Sequence, residues 1–93
     1  MFLHFTAEWF YYCGVMEKDT INDAAINSSL NENFISIKVD FDRETKTSDF
    51  YQVRGLPDTI FIAENWQIIG RRPGYISPEL LKRILKSILK AGS

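Results

Sequence analysis

Five residues near the start of the chain, Phe2–Thr6, constrain its fold more than any others. The run is short, apolar and aromatic-rich. It lacks the polar alternation of a strand with one wet face, so it reads as a strand buried on both faces. The chain has 93 residues, enough for one domain spanning residues 1–93 and a single core. A domain this short buries only a modest fraction of its surface. A strand covered on both sides then calls for a central sheet with helices on each face, the α/β class.

The rest of the chain supplies those elements. From Phe10 to about Asp19 the pattern changes: Cys13 and Met16, followed by Glu17 or Thr20, recur at helical spacing. The helix is expected to break near Thr20 and resume from Asp23 to about Leu30, with Asn22 as its cap. Ile35–Asp40 alternates and is β-branched, which predicts a second strand. Asp42–Gln52 reads as a polar helix whose buried end is marked by Phe50, Tyr51 and Val53. Arg54-Gly55-Leu56-Pro57 is a turn signal. Thr59–Ala63 and Gln67–Arg71 form a hairpin across Glu64-Asn65-Trp66. Ser77-Pro78-Glu79 combines an N-cap, a first-turn proline and a first-turn acid. Leu80, Leu81, Ile84, Leu85, Ile88 and Leu89 then form the apolar stripe of a closing helix. Ala91-Gly92-Ser93 reads as a frayed end. The order is strand, helix, strand, helix, strand, strand, helix. Early alternation implies a parallel crossover and the late hairpin adds antiparallel strands, giving a mixed four-stranded sheet.

Charge and cysteine count exclude several classes. The formal net charge is -1, without the clustered basic excess of a nucleic-acid binder. Lys82, Arg83, Lys86 and Lys90 fall on the solvated face of the closing helix. No apolar run approaches the roughly 20 residues of a membrane span. The single cysteine, Cys13, rules out an internal disulfide. With one His and one Cys, the chain has no expected metal site of its own, and no cofactor is expected. The start lacks a basic region followed by an apolar stretch and a cleavage site. The chain is therefore expected either in the cytoplasm or, with a leader removed, in the periplasm, and the sequence leaves both open.

Several motifs together resemble the thioredoxin family. Phe2-Leu-His-Phe-Thr-Ala-Glu-Trp9-Phe10-Tyr11-Tyr12-Cys13 looks like the family's first core strand followed by W-C-x-x-C, with the first cysteine changed. Val53-Arg54-Gly55-Leu56-Pro57 looks like the loop that carries the family's cis-proline. Lys38-Val39-Asp40 resembles the end of its central strand, and Gly70–Gly74 with Ser77-Pro78-Glu79 resembles its last hairpin and helix. The likeness covers essentially the whole chain. It is nearest to the thioredoxin-like domains of bacterial thiol:disulfide interchange proteins, reduced to a minimal core. The thioredoxin fold is therefore expected.

In that family the first cysteine stands at a helix N-terminus, where unpaired amides stabilise its thiolate, and it attacks. The second, one turn on, resolves the mixed disulfide. The resemblance places Phe10 at the nucleophile's position and Cys13 at the resolver's. Phe has no sulfur, so dithiol exchange is not expected of this chain. Trp9, Tyr11, Tyr12, Leu56 and Pro57 match the substrate-contacting positions; the backbone of Leu56 would pair with an extended polypeptide. His4 matches a position where the family buries an acid, and reads either as a proton-transfer group or, preferentially, as a packed core histidine. Lys38 matches the family's partly buried lysine, with a solvated strand-end lysine as the alternative. Asp58 stands where the family often has Thr, which would make the groove's rim more acidic. Cys13 reads first as a buried, inert thiol. Phe10 either joins an exposed aromatic patch or folds inward over Leu56-Pro57.

Three functions follow from the resemblance. The first is a thiol:disulfide oxidoreductase domain silenced at Phe10. The second is a naturally redox-inactive module that binds peptides or proteins. The third is a monothiol protein that uses Cys13. Expected partners are protein thiols or disulfides, or extended peptide segments, with no nucleic acid; a monomer is expected, with a dimer the alternative.

Overall fold

The computed structural model describes residues 1–91. Strand β1, Phe2–Thr6, is buried at all five positions and lies inside the sheet. Its neighbours are β2 (Ser36–Asp40), parallel to it, and β3 (Asp58–Ile62), antiparallel. Strand β4 (Ile68–Pro73) pairs antiparallel with β3, so the order across the sheet is β2-β1-β3-β4. This is the mixed four-stranded sheet that the element order predicts.

The alternation of β1 side chains divides the core in two. Leu3 and Phe5 point to one face, where they join Val39, Ile60, Ile62, Val53 and Leu56. Phe2 points to the other face and joins Phe61, Met16, Ile26, Leu30, Ile76, Leu81 and Leu85. Each fully buried side chain of this size contributes about 1.5–3 kcal/mol. Two apolar layers of that kind explain how so short a chain holds a sheet with both faces covered.

The helices occupy the expected places with local differences. Helix α1 (Tyr11–Met16) passes into a π-helical turn at Glu17–Ile21. Thr20 is buried there, and its hydroxyl donates to the Ile76 carbonyl at 2.6 Å. Helix α2 (Ala24–Asn33) is capped by Asp23, whose carboxylate accepts from the amides of Ala25 and Ile26 at 3.0 and 3.2 Å. The cap is therefore Asp23 and not Asn22. Only Asp23 has the extended ψ of 130° that turns its side chain over the first turn; Asn22 has ψ 0°.

Helix α3 (Thr45–Phe50) is shorter than expected. The Asp40 carboxylate accepts from the amides of Asp42 and Arg43, holding those residues in a turn. Phe50 is 77% exposed, so Tyr51 and Val53 alone carry the buried end. Helix α4 (Pro78–Ala91) starts as predicted, with Ser77 Oγ accepting from the Leu80 amide at 3.2 Å. Leu81 and Leu85 form the buried centre of its stripe. Ala91 belongs to the helix, and the expected fray at Gly92-Ser93 lies outside the described residues.

Candidate functional site

The C-terminal end of β1 delivers the chain to α1 through Ala7-Glu8-Trp9-Phe10. Phe10 precedes the helix with extended φ −93° and ψ 117°, and no side chain caps the first turn. Its carbonyl accepts from the Cys13 amide at 3.1 Å, which sets the turn between the two positions. The Phe10 ring is half-buried and packs on the core cluster that holds Cys13 and Leu56. Of the two orientations expected for it, the inward one is adopted.

The other three aromatics stay outside. Trp9, Tyr11 and Tyr12 are 66%, 76% and 55% exposed. Trp9 meets Phe10 edge-on at 5.4 Å, and Tyr11 meets Tyr12 edge-on at 5.2 Å. The Trp9 indole N–H donates to the Asp42 carboxylate, tying the loop before α1 to the turn after β2. Asp42 has no place in the motif; only its position just past the end of the neighbouring strand signals it.

Cys13 is buried and free. It lines the wall of a cleft of about 450 Å³ with Gly14, Glu17, Lys38 and Asp40. Glu17 and Lys38 form an ion pair at 3.1 Å. Lys38 is 59% exposed, so it is the solvated lysine of the two alternatives. The same pair lines a smaller cavity, of about 150 Å³, where His4 lies.

His4 is 5% exposed in the middle of β1. Burial pushes its pKa down to about 4; Glu17 pulls it upward and Lys38 downward. Among the described residues its Nδ1 has no hydrogen-bond partner. Directly across on β3 is Thr59, whose buried hydroxyl also lacks one. An uncharged imidazole at neutral pH is what this packing accommodates.

The loop Arg54–Pro57 brings Leu56 and Pro57 into the core beneath this end of the sheet, with a cis Leu56–Pro57 bond. Asp58 does not acidify a rim. It is 2% exposed, and Arg71 from β4 grips it, Nη2 to Oδ2 at 2.6 Å and Nε to Oδ2 at 3.2 Å. The same guanidinium donates to the carbonyls of Tyr51 and Gln52, so it fastens the end of α3 to the hairpin. Sequence reasoning missed Arg71 because its partnership depends on the β3–β4 register.

The structure thus brings Trp9, Phe10, Tyr11, Tyr12 and Cys13 together on one turn, with Leu56 and Pro57 in the loop before β3. Among the described residues no group of three or more His, Cys, Asp or Glu is placed to hold a metal ion. No helix of the described residues is long and apolar enough to cross a membrane.

A family model for a thioredoxin-like domain matches residues 1–89. Among solved structures, the chain is similar to a thioredoxin from Thermus thermophilus, at 22% identity and a TM-score of 0.83, over 95% of this chain and 72% of that one. It is similar to DsbH oxidoreductase at 20% identity and a TM-score of 0.79, over 96% and 71%. It is also similar to the germline-specific thioredoxin Deadhead of Drosophila melanogaster, at 24% identity and a TM-score of 0.77, over 91% and 77%. No curated protein matches. At these identities the likeness to solved structures establishes the fold.

Proposed function

The chain belongs to the thioredoxin-like domain family, and from that premise we propose that it is a thiol:disulfide oxidoreductase domain with its nucleophile position occupied by Phe10. The observation that carries this reading is the pairing of Phe10, at the entry to α1, with a buried Cys13 one turn later. Dithiol exchange breaks a substrate S–S bond by thiolate attack, forms a mixed disulfide, and needs a second thiolate to release the product. Only the second sulfur is present here. What remains is the binding half of the activity. Trp9, Tyr11 and Tyr12 offer apolar contact, and the Leu56 backbone offers strand-like pairing to an extended protein segment that carries thiols or disulfides. The burial of Cys13 argues against a working monothiol, since an exposed thiolate is the reactive form.

A second reading, a redox-inactive peptide-binding module, is favoured by one observation. Phe10 is not a misfit: it packs inward on the core and against Trp9, as a settled residue would.

Insulin reduction driven by dithiothreitol, measured for this chain and for Phe10→Cys, decides between them. The oxidoreductase reading expects activity only in the variant: the introduced thiol opens the insulin disulfide, Cys13 closes on it, and dithiothreitol reduces the resulting bridge. Two folded but inactive proteins would overturn that reading in favour of the binding module.

A further inference from the structure

Away from the Trp9–Pro57 face, a groove of about 420 Å³ runs between β4 and α4. Ile69 lines it from the strand; Leu80, Ile84 and Ile88 line it from the helix. Phe61 and Gly70 also line it, and Gly70 leaves it open. A Cβ placed on Gly70 meets nothing within 4 Å, and its φ lies outside the left-handed region, so the backbone does not demand glycine. The missing side chain is space. The groove adjoins a larger cavity of about 750 Å³ that shares Phe61, Ile69 and Ile88.

Three arginines line the groove: Arg71, Arg72 and Arg83. Arg71 is held by Asp58, whereas Arg72 and Arg83 are both exposed, and neither side chain makes a hydrogen bond or ion pair among the described residues. Lys82, beside Arg83 in sequence, holds Asp23 at 3.5 Å. The chain as a whole carries a net charge of -1, so the free positive pair is not part of a general basic excess. Strand β4 also ends the sheet, leaving one side of its backbone open to a further strand.

We propose that this groove docks an extended acidic–aliphatic peptide segment, paired along the open edge of β4. Gly70 and Arg72 are two apart on one strand face, beside Phe61 and Thr59. The added strand therefore sets an aliphatic side chain over Gly70 and an acidic one, two positions along, between Arg72 and Arg83. Guanidinium groups favour carboxylates through paired hydrogen bonds. The apolar floor takes the aliphatic group, the open backbone gives the strand pairing, and the arginines fix the register. The site is separate from the face assigned above and does not depend on that assignment.

The probe is a fluorescein-labelled peptide, Ser-Thr-Val-Thr-Leu-Thr-Glu-Thr-Ser, with a second version carrying Lys in place of Glu. Anisotropy titrations are expected to saturate for the Glu peptide, to weaken with added salt, and to fail for the Lys peptide. Amide chemical-shift changes are expected at residues 69–72 and 80–88. Gly70→Val, which fills the floor, and Arg83→Glu, on the helix surface, are each expected to weaken binding about tenfold or more. Far-UV circular dichroism checks both variants, and Arg83→Glu decides alone if Gly70→Val does not fold. Equal binding of the Lys peptide, or no saturable binding, overturns the proposal. So do shifts centred on Trp9 and Leu56, which would leave the reading of that face standing.

Discussion

His4 holds an imidazole where the packing accepts only its neutral form. In the unfolded chain it takes up a proton near 6.5; in the folded chain burial lowers that to about 4. Between those values the unfolded chain binds more protons, so stability falls as pH falls. The contribution is complete above about pH 6.5 and is lost on descending to about pH 4, a loss of up to about 3 kcal/mol. Urea midpoints measured across that range test it: the native chain is expected to lose stability there more steeply than His4→Phe. The phenyl ring would keep the stacked contact with Phe2, 6.3 Å between centroids, without a titrating group. Sequence reading preferred a packed core histidine, and the structure agrees on its burial. It gave no sign of Thr59, because two orphaned polar atoms meet there only through strand pairing.

At the scale of elements, apolar period and turn residues predicted the four strands and the α-helices of the described residues; the expected break near Thr20 is instead a π-helical turn, Glu17–Ile21, and the other differences lie at element ends. Asn22 and Asp23 are both capping types, and the choice between them rests on the backbone leaving the π-helical turn. Phe50, the last residue of α3, carries an apolar side chain into water, with its ring edge-on to Tyr51. The β3–β4 hairpin holds another local conflict. Trp66 sits at φ 68° while 68% exposed, so it bears a left-handed backbone with little burial in return. Its amide donates to the Ala63 carbonyl, and the turn can keep that bond whatever side chain stands there. Trp66→Gly is expected to stabilise the protein by about 1 kcal/mol, seen as a rise in the thermal midpoint. An unchanged or lowered midpoint would mean that the indole contributes more than its exposure indicates.

Across the whole molecule, one side chain joins what the sheet does not. Arg71 reaches from the edge strand to Asp58 at the start of β3 and to the carbonyls at the end of α3. With Asp58 nearly inaccessible, removing the cation leaves a buried carboxylate alone. Arg71→Leu is expected to cost about 3 kcal/mol or more. The double change Asp58→Thr with Arg71→Leu is expected to recover much of that, since neither charge then remains. Chemical denaturation of the two variants and the native chain measures the difference. The motif reading located the cis-proline loop but misjudged the charge beside it, because a sequence shows an acid without showing the base that covers it. The same pairing has a hereditary side. Positions 58 and 71 are answerable to each other, so descent should change them together: lineages that carry threonine after the proline are freed to drop the arginine. Those that keep the acid are bound to retain it.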